Sequence, residues 1–87
     1  MKEISIVGLE LGKRVFQVHA AVSDGGVVLR RQMSRSQVIT FFTELPKCTV
    51  AMEVRATAHY WVREIGKLGH EVRLIPPARK LRPAHEQ

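Results

Sequence analysis

Two carboxylates close two hydrophobic runs. Glu10 ends Ile4-Ser5-Ile6-Val7-Gly8-Leu9-Glu10, and Glu53 ends Cys48-Thr49-Val50-Ala51-Met52-Glu53. Each run reads as a strand, and a buried strand that stops at an acid carries a desolvation cost unless something fills the space between the acids. A divalent cation would do so, because Mg2+ and Mn2+ are hard ions that take carboxylate and phosphate oxygen. In two-metal phosphoryl transfer the ions sit about 3.5 to 4 Å apart, one activating the nucleophile and the other stabilising the leaving oxygen. Such a site needs more acids than a pair. The plainer alternative leaves Glu10 in solvent at its strand end and has Glu53 support a helix starting near Thr57, since acids favour helix N-termini.

The other reactive side chains are more isolated. His19 falls in mid-strand on a polar face, and Trp61 falls in an apolar stripe and reads as core. His59 and Tyr60 stand near a helix start, where they would orient a phosphate if the topology brought them to Glu53. Cys48, the single cysteine, reads as a small buried hydrophobe at a strand start rather than a nucleophile. No HExxH, CxxC, phosphate-binding glycine loop or G-x-S-x-G occurs.

The elements that must position these groups follow from periodicity. Gly12 permits a tight turn after the first strand, with Lys13 and Arg14 exposed at its tip. Val15 to Ala20 alternates, setting Phe16, Val18 and Ala20 on one face and Gln17 and His19 on the other. Ser23-Asp24-Gly25-Gly26 reads as a hairpin turn, and Val27 to Gln32 as the returning third strand with a basic end at Arg30 and Arg31. The period then changes. Val38, Phe41, Phe42 and Leu45 make a helical stripe, with Ser34 and Gln37 at capping-box spacing and Pro46 as the stop. Thr49 to Met52, almost wholly apolar, reads as a central strand covered on both faces. Ala58, Trp61, Val62, Ile65 and Leu68 form a second stripe that Gly69 ends, and Glu71 to Ile75 supplies a last strand before Pro76-Pro77.

The order is β-β-β-α-β-α-β, an α/β chain with a mixed sheet. The helical crossovers make the fourth strand parallel to a strand of the opening meander. The simplest sheet has order 3-2-1-4-5, which places strands one and four side by side. Their carboxyl ends then share an edge, where open α/β sheets hold ligands. On that topology Glu10 and Glu53 become neighbours despite their distance in sequence.

Eighty-seven residues allow one domain, and 45% hydrophobic with 25% charged residues is a globular balance. No stretch approaches the roughly 20 apolar residues needed to cross a bilayer, so no membrane partner is expected. The lone cysteine and the absence of an apolar leader at the start point to the cytoplasm. A net charge of +6 favours polyanionic partners without separating DNA from RNA or acidic membrane. A nucleic-acid-binding role would use Lys13, Arg14, Arg30, Arg31, Arg79, Lys80 and Arg82. A purely structural role would leave sheet surface for a second copy to cover, as a homo-oligomer.

The segments Ile6 to His19, Ser34-Arg35-Ser36-Gln37, Phe41-Phe42, Met52 to Trp61 and Leu68 to Ala78 together resemble the N-terminal region of bacterial insertion-sequence transposases of the DEDD type, the bridge-RNA-guided group. The resemblance runs from Ile4 to Ala78. It implies a ribonuclease-H-like domain of the RuvC kind over residues 1–78. It also implies four acids acting with Mg2+ or Mn2+ on DNA strands, a separate serine-bearing domain for strand transfer, and a guide RNA. Glu10 and Glu53 correspond to the first two acids, the family carrying aspartate at the position of Glu10. The later acids follow the Pro76-Pro77-Ala78 segment in an Asn-Asp-Ala-Ala-Asp-like stretch, whereas this chain reads Arg79-Lys80-Leu81-Arg82-Pro83-Ala84-His85-Glu86-Gln87. The expectation is a RuvC-like fold incomplete at its C-terminus, from a truncated or frameshifted reading frame or as a fragment, with residues 79–87 as a basic disordered tail. Either the chain keeps part of a phosphodiester-cleaving site, or it is an inactive remnant that binds nucleic acid or dimerises.

Overall fold

A computed structural model describes residues 4–24 and 26–76. The elements run β1 (Ile4–Glu10), β2 (Val15–Val22), β3 (Val27–Ser34), α1 (Arg35–Glu44), β4 (Thr49–Glu53), α2 (Ala58–Lys67) and β5 (Glu71–Ile75). They form one five-stranded sheet of order β3-β2-β1-β4-β5, the order expected from the crossovers. β1 is antiparallel to β2 and parallel to β4. β2 is antiparallel to β3, and β4 is parallel to β5.

Each local boundary has a chemical cause. Gly12 turns the chain from β1 into β2 so tightly that a Cβ there would collide with the Val15 carbonyl oxygen. The β2–β3 hairpin is closed by Val22 N–H donating to the Gly26 carbonyl at 3.0 Å, and Gly26 N–H donates to Asp24 Oδ1 at 3.0 Å. At the start of α1 the capping box is complete: Gln37 N–H donates to Ser34 Oγ at 3.4 Å, and Ser34 N–H donates to Gln37 Oε1 at 2.8 Å. α1 stops before Leu45 and Pro46. α2 ends where Gly69 takes φ 98°, a left-handed turn that glycine enters without a Cβ penalty.

Handedness then decides which face is covered. Both crossovers, β3-α1-β4 and β4-α2-β5, run in the same direction along the sheet, so right-handed connections deliver both helices to the same side. Val7, Leu9, Phe16, Val18, Ala20, Val50 and Met52 face that side and join Val38 and Phe42 of α1 and Ala58, Trp61 and Ile65 of α2 in one buried cluster. Phe16 and Trp61 meet edge to face with ring centroids 5.0 Å apart, tying β2 to α2. None of the described elements packs on the opposite face, where Ile6 and Ile75 are exposed. β4 is therefore central, as expected, but it is not covered on both faces. Val50 and Met52 are buried while Thr49, Ala51 and Glu53 are half-buried, so its apolar run owes its length to the small Ala51 rather than to a second layer.

His70 is the one buried polar side chain among the described residues. The Cys48 backbone N–H donates to its Nδ1 at 3.2 Å, which places the ring hydrogen on Nε2, and Nε2 donates to the Phe42 carbonyl at 2.7 Å. The ring also meets Phe42 edge to face, centroids 5.4 Å apart. One imidazole thus joins the last turn of α1, the start of β4 and the approach to β5. His70→Ala strands a carbonyl and an N–H, and is expected to lower the unfolding free energy by about 2 to 4 kcal/mol in urea titrations. A loss below about 0.5 kcal/mol, the range of ordinary surface substitutions, would show that the ring is not a clamp.

Candidate functional site

The carboxyl edge of β1 and β4 collects the candidate residues. Leu9 pairs with Met52 in the parallel ladder, and one further step sets Glu10 alongside Glu53 on strands about 4.8 Å apart. Because Leu9 and Met52 face the helices, the alternation of each strand turns both acids toward the opposite, uncovered face. Glu10 is exposed and Glu53 half-buried. The sheet thus brings together the two acids that the sequence singled out, at the edge where ligands are expected.

The same edge is strongly basic. Lys13 and Arg14 are exposed on the β1–β2 turn, immediately beyond Glu10. Arg55, two residues past Glu53, forms an ion pair with it at 3.1 Å. Arg35, the first residue of α1, lies over the rings of Tyr60 and Trp61 at 5.5 and 5.2 Å from their centroids. Neither Arg55 nor Arg35 stood out from the sequence. A signal existed for Arg55, a base just past a strand-end acid, whereas Arg35 meets the two rings only through the fold. His59 is exposed in the first turn of α2, beside the half-exposed Tyr60. Trp61 is core, 1% exposed, as its stripe implied, and His19 lies exposed on the uncovered face. Arg79, Lys80 and Arg82 lie outside the described residues.

Two carboxylates with an arginine already bound to one of them are a partial donor set. No group of three or more His, Cys, Asp or Glu side chains among the described residues could hold a metal ion. Glu53 directs charge at Arg55, and a pair of acids leaves most positions of two hard cations to be filled from elsewhere. The described residues therefore do not fit a two-metal centre. The N-cap of α2 is Thr57, without a side-chain cap bond, and Glu53 forms an ion pair with Arg55.

Cys48 lies at the amino end of β4, remote from this edge. Its Sγ is 3.7 Å from His70 Nδ1, and burial pushes the thiol above its ordinary value. A raised thiol pKa means less thiolate at neutral pH, so alkylation by iodoacetamide at about pH 8 is expected to be slower in the folded chain than in urea. Cys48 contributes stability that is whole below the ordinary thiol value and is lost as pH rises through the higher folded value. Equal rates in folded and unfolded chain, measured by mass spectrometry, would contradict the burial.

No family model matches the chain. Among curated proteins it is 55% identical over 74 residues to a probable family 20 transposase of Pseudomonas aeruginosa, a match covering 85% of this chain and 22% of that protein. It is 42% identical over 77 residues to the transposase for insertion sequence element IS1328 of Yersinia enterocolitica, covering 88% of this chain and 23% of the relative. The chain thus spans less than a quarter of the length of these relatives. Among solved structures, a PPX-GPPA enzyme of Aquifex aeolicus superposes with a TM-score of 0.49 at 11% identity, covering 85% of this chain and 36% of that one.

Proposed function

We propose that this chain, whose homology to bacterial insertion-sequence transposases supports a place in a transposase family, serves transposition as a basic DNA-binding unit that does not itself cleave strands. The observation that carries this reading is the carboxyl edge of the sheet. Among the described residues it sets Lys13, Arg14, Arg35 and Arg55 around two acids, one of them ion-paired. Cations in that excess suit phosphate contact, while the donor set is short of what metal-dependent phosphodiester chemistry requires.

The finer assignment belongs to the same proposal. The mixed sheet and its element order are broadly consistent with a ribonuclease-H-like architecture, and we take the domain as RuvC-like of the DEDD type over residues 1–78. Glu10 and Glu53 then stand as the first two acids of a metal site that the described residues leave incomplete. In this reading the basic residues Arg79, Lys80 and Arg82 add phosphate contacts, the compartment is the cytoplasm, and a guide RNA is a further partner. The uncovered sheet face supports a second reading, in which two copies pair and the chain acts structurally. Light scattering separates the two, because a strict monomer at high concentration removes the paired form.

Fluorescence anisotropy with a labelled DNA duplex tests the binding. Affinity is expected to fall with salt along a log–log slope of about −3 to −5, as for four or five neutralised phosphates, with little dependence on sequence. Salt-independent binding, or none at about 50 mM salt, would overturn the reading. Calorimetry with Mn2+ is expected to show no saturable binding tighter than about millimolar, and DNA is expected to remain uncut with the metal present. Strand cleavage by the purified chain would restore the enzymatic reading.

A further inference from the structure

On the helix side of the carboxyl edge lies an open cleft of about 470 Å³. Its floor is apolar, made by Leu11, Phe16 and Trp61, and its walls carry Lys13, Arg35 and Arg55. Three cationic side chains from three separate segments, the β1–β2 turn, the start of α1 and the β4–α2 loop, converge there. Among the described residues Lys13 and Arg35 have no carboxylate partner, and only Arg55 is paired, with Glu53. Like charges gathered around one concavity repel one another, and an apolar floor beneath them strengthens that repulsion. An anion seated between them removes it.

Arg35 is also held in place. Its guanidinium lies 5.5 Å from the Tyr60 ring centroid and 5.2 Å from that of Trp61. A guanidinium stacked in this way keeps its fork of N–H donors available at its edge. The fork matches two oxygens of one tetrahedral anion, while Lys13, also lining the cleft, supplies a point charge.

We propose that this cleft binds a backbone phosphate of nucleic acid, with Arg35 as its fixed donor and Lys13 and Arg55 closing over it. The proposal rests on the DNA-binding reading and sharpens it by adding Arg35 and naming where one phosphate sits. Arg55 joins the cleft to Glu53, so the strand held here passes directly beside the carboxylate pair, on the other side of the sheet edge.

Trp61, the only tryptophan, forms part of the cleft and reports its occupancy. Its fluorescence is followed while inorganic phosphate, and separately a single-stranded DNA oligonucleotide, is added to the full chain and to Arg35→Gln, Arg55→Gln and Lys67→Gln. Circular dichroism confirms that each variant is folded, and Arg35→Lys serves as the charge-keeping version. Both ligands are expected to give a saturable change. Arg35→Gln and Arg55→Gln are each expected to weaken it about tenfold, as for loss of a charge-assisted hydrogen bond, and to reduce the salt slope for DNA by about one. Lys67→Gln, at the far end of α2, is expected to behave as the parent, and Arg35→Lys to recover part of the loss. DNA binding with unchanged affinity and slope in both glutamine variants overturns the cleft and leaves the DNA-binding reading standing. A phosphate response that depends on Arg35, without DNA binding, keeps the anion site but overturns its assignment to nucleic acid. No fluorescence response to either ligand overturns the cleft, and the anisotropy titration decides the DNA-binding reading independently.

Discussion

The parallel pairing of β1 with β4 is the constraint on which the rest of this structure depends. Two residues far apart in sequence reach one sheet edge only because this pair runs side by side in the same direction. The pairing is possible because α1 carries the chain back across the sheet, and its right-handed path also selects the face that both helices cover. Once that face is fixed, strand alternation leaves no freedom. Leu9 and Met52 go into the core, and Glu10 and Glu53 go to the other side. A register slip of one residue between the strands would turn an acid into the core and a large apolar side chain out of it. The core therefore enforces the neighbour relation of the carboxylates, although neither acid belongs to it.

The same topology sorts the charges at the edge. The acids emerge on the uncovered face, while Lys13, Arg35 and Arg55 border a cleft on the helix side. Arg55 spans the boundary through its ion pair with Glu53. That pair is half exposed, so it adds little to stability, and its importance is positional. It draws one carboxylate away from a cation-binding geometry and holds one guanidinium at the mouth of the cleft. The edge as described is thus organised more for meeting an anion than for gathering metal ions.

Much of this was legible in the sequence because it depends on local rules. The alternation of Phe16, Val18 and Ala20, the capping box of Ser34 and Gln37, the stop at Gly69 and the pairing of β1 with β4 all follow from period, caps and crossover handedness. What escaped depends on non-local contacts. His70 follows a glycine in a polar stretch, and nothing in its neighbours shows that it bridges Phe42 and Cys48. Arg35 reads as an ordinary exposed helix-start residue until α2 brings two aromatic rings beneath it. The misjudged cover of β4 has a related cause. A short apolar run fits either a strand buried on both faces or one whose outer positions are merely small, and Thr49 and Ala51 are of the second kind.

Stability and binding are separable in such a molecule, with one point of contact. The buried cluster lies wholly on the helix face, so removing charge at Lys13 or Arg55 takes no apolar surface from the core. Arg35 differs, because it covers the outer side of Tyr60 and Trp61, and Trp61 packs in turn on Phe16. An anion that pulls on the Arg35 guanidinium therefore acts on the contact that joins α2 to β2. Anion binding at the proposed cleft would in this way be coupled to how firmly the second helix seats on the sheet. The coupling is modest, since cation–π contacts at exposed sites contribute about 0.5 to 1 kcal/mol. In a small domain with a one-sided core and a correspondingly narrow stability margin, a contribution of that size is still felt.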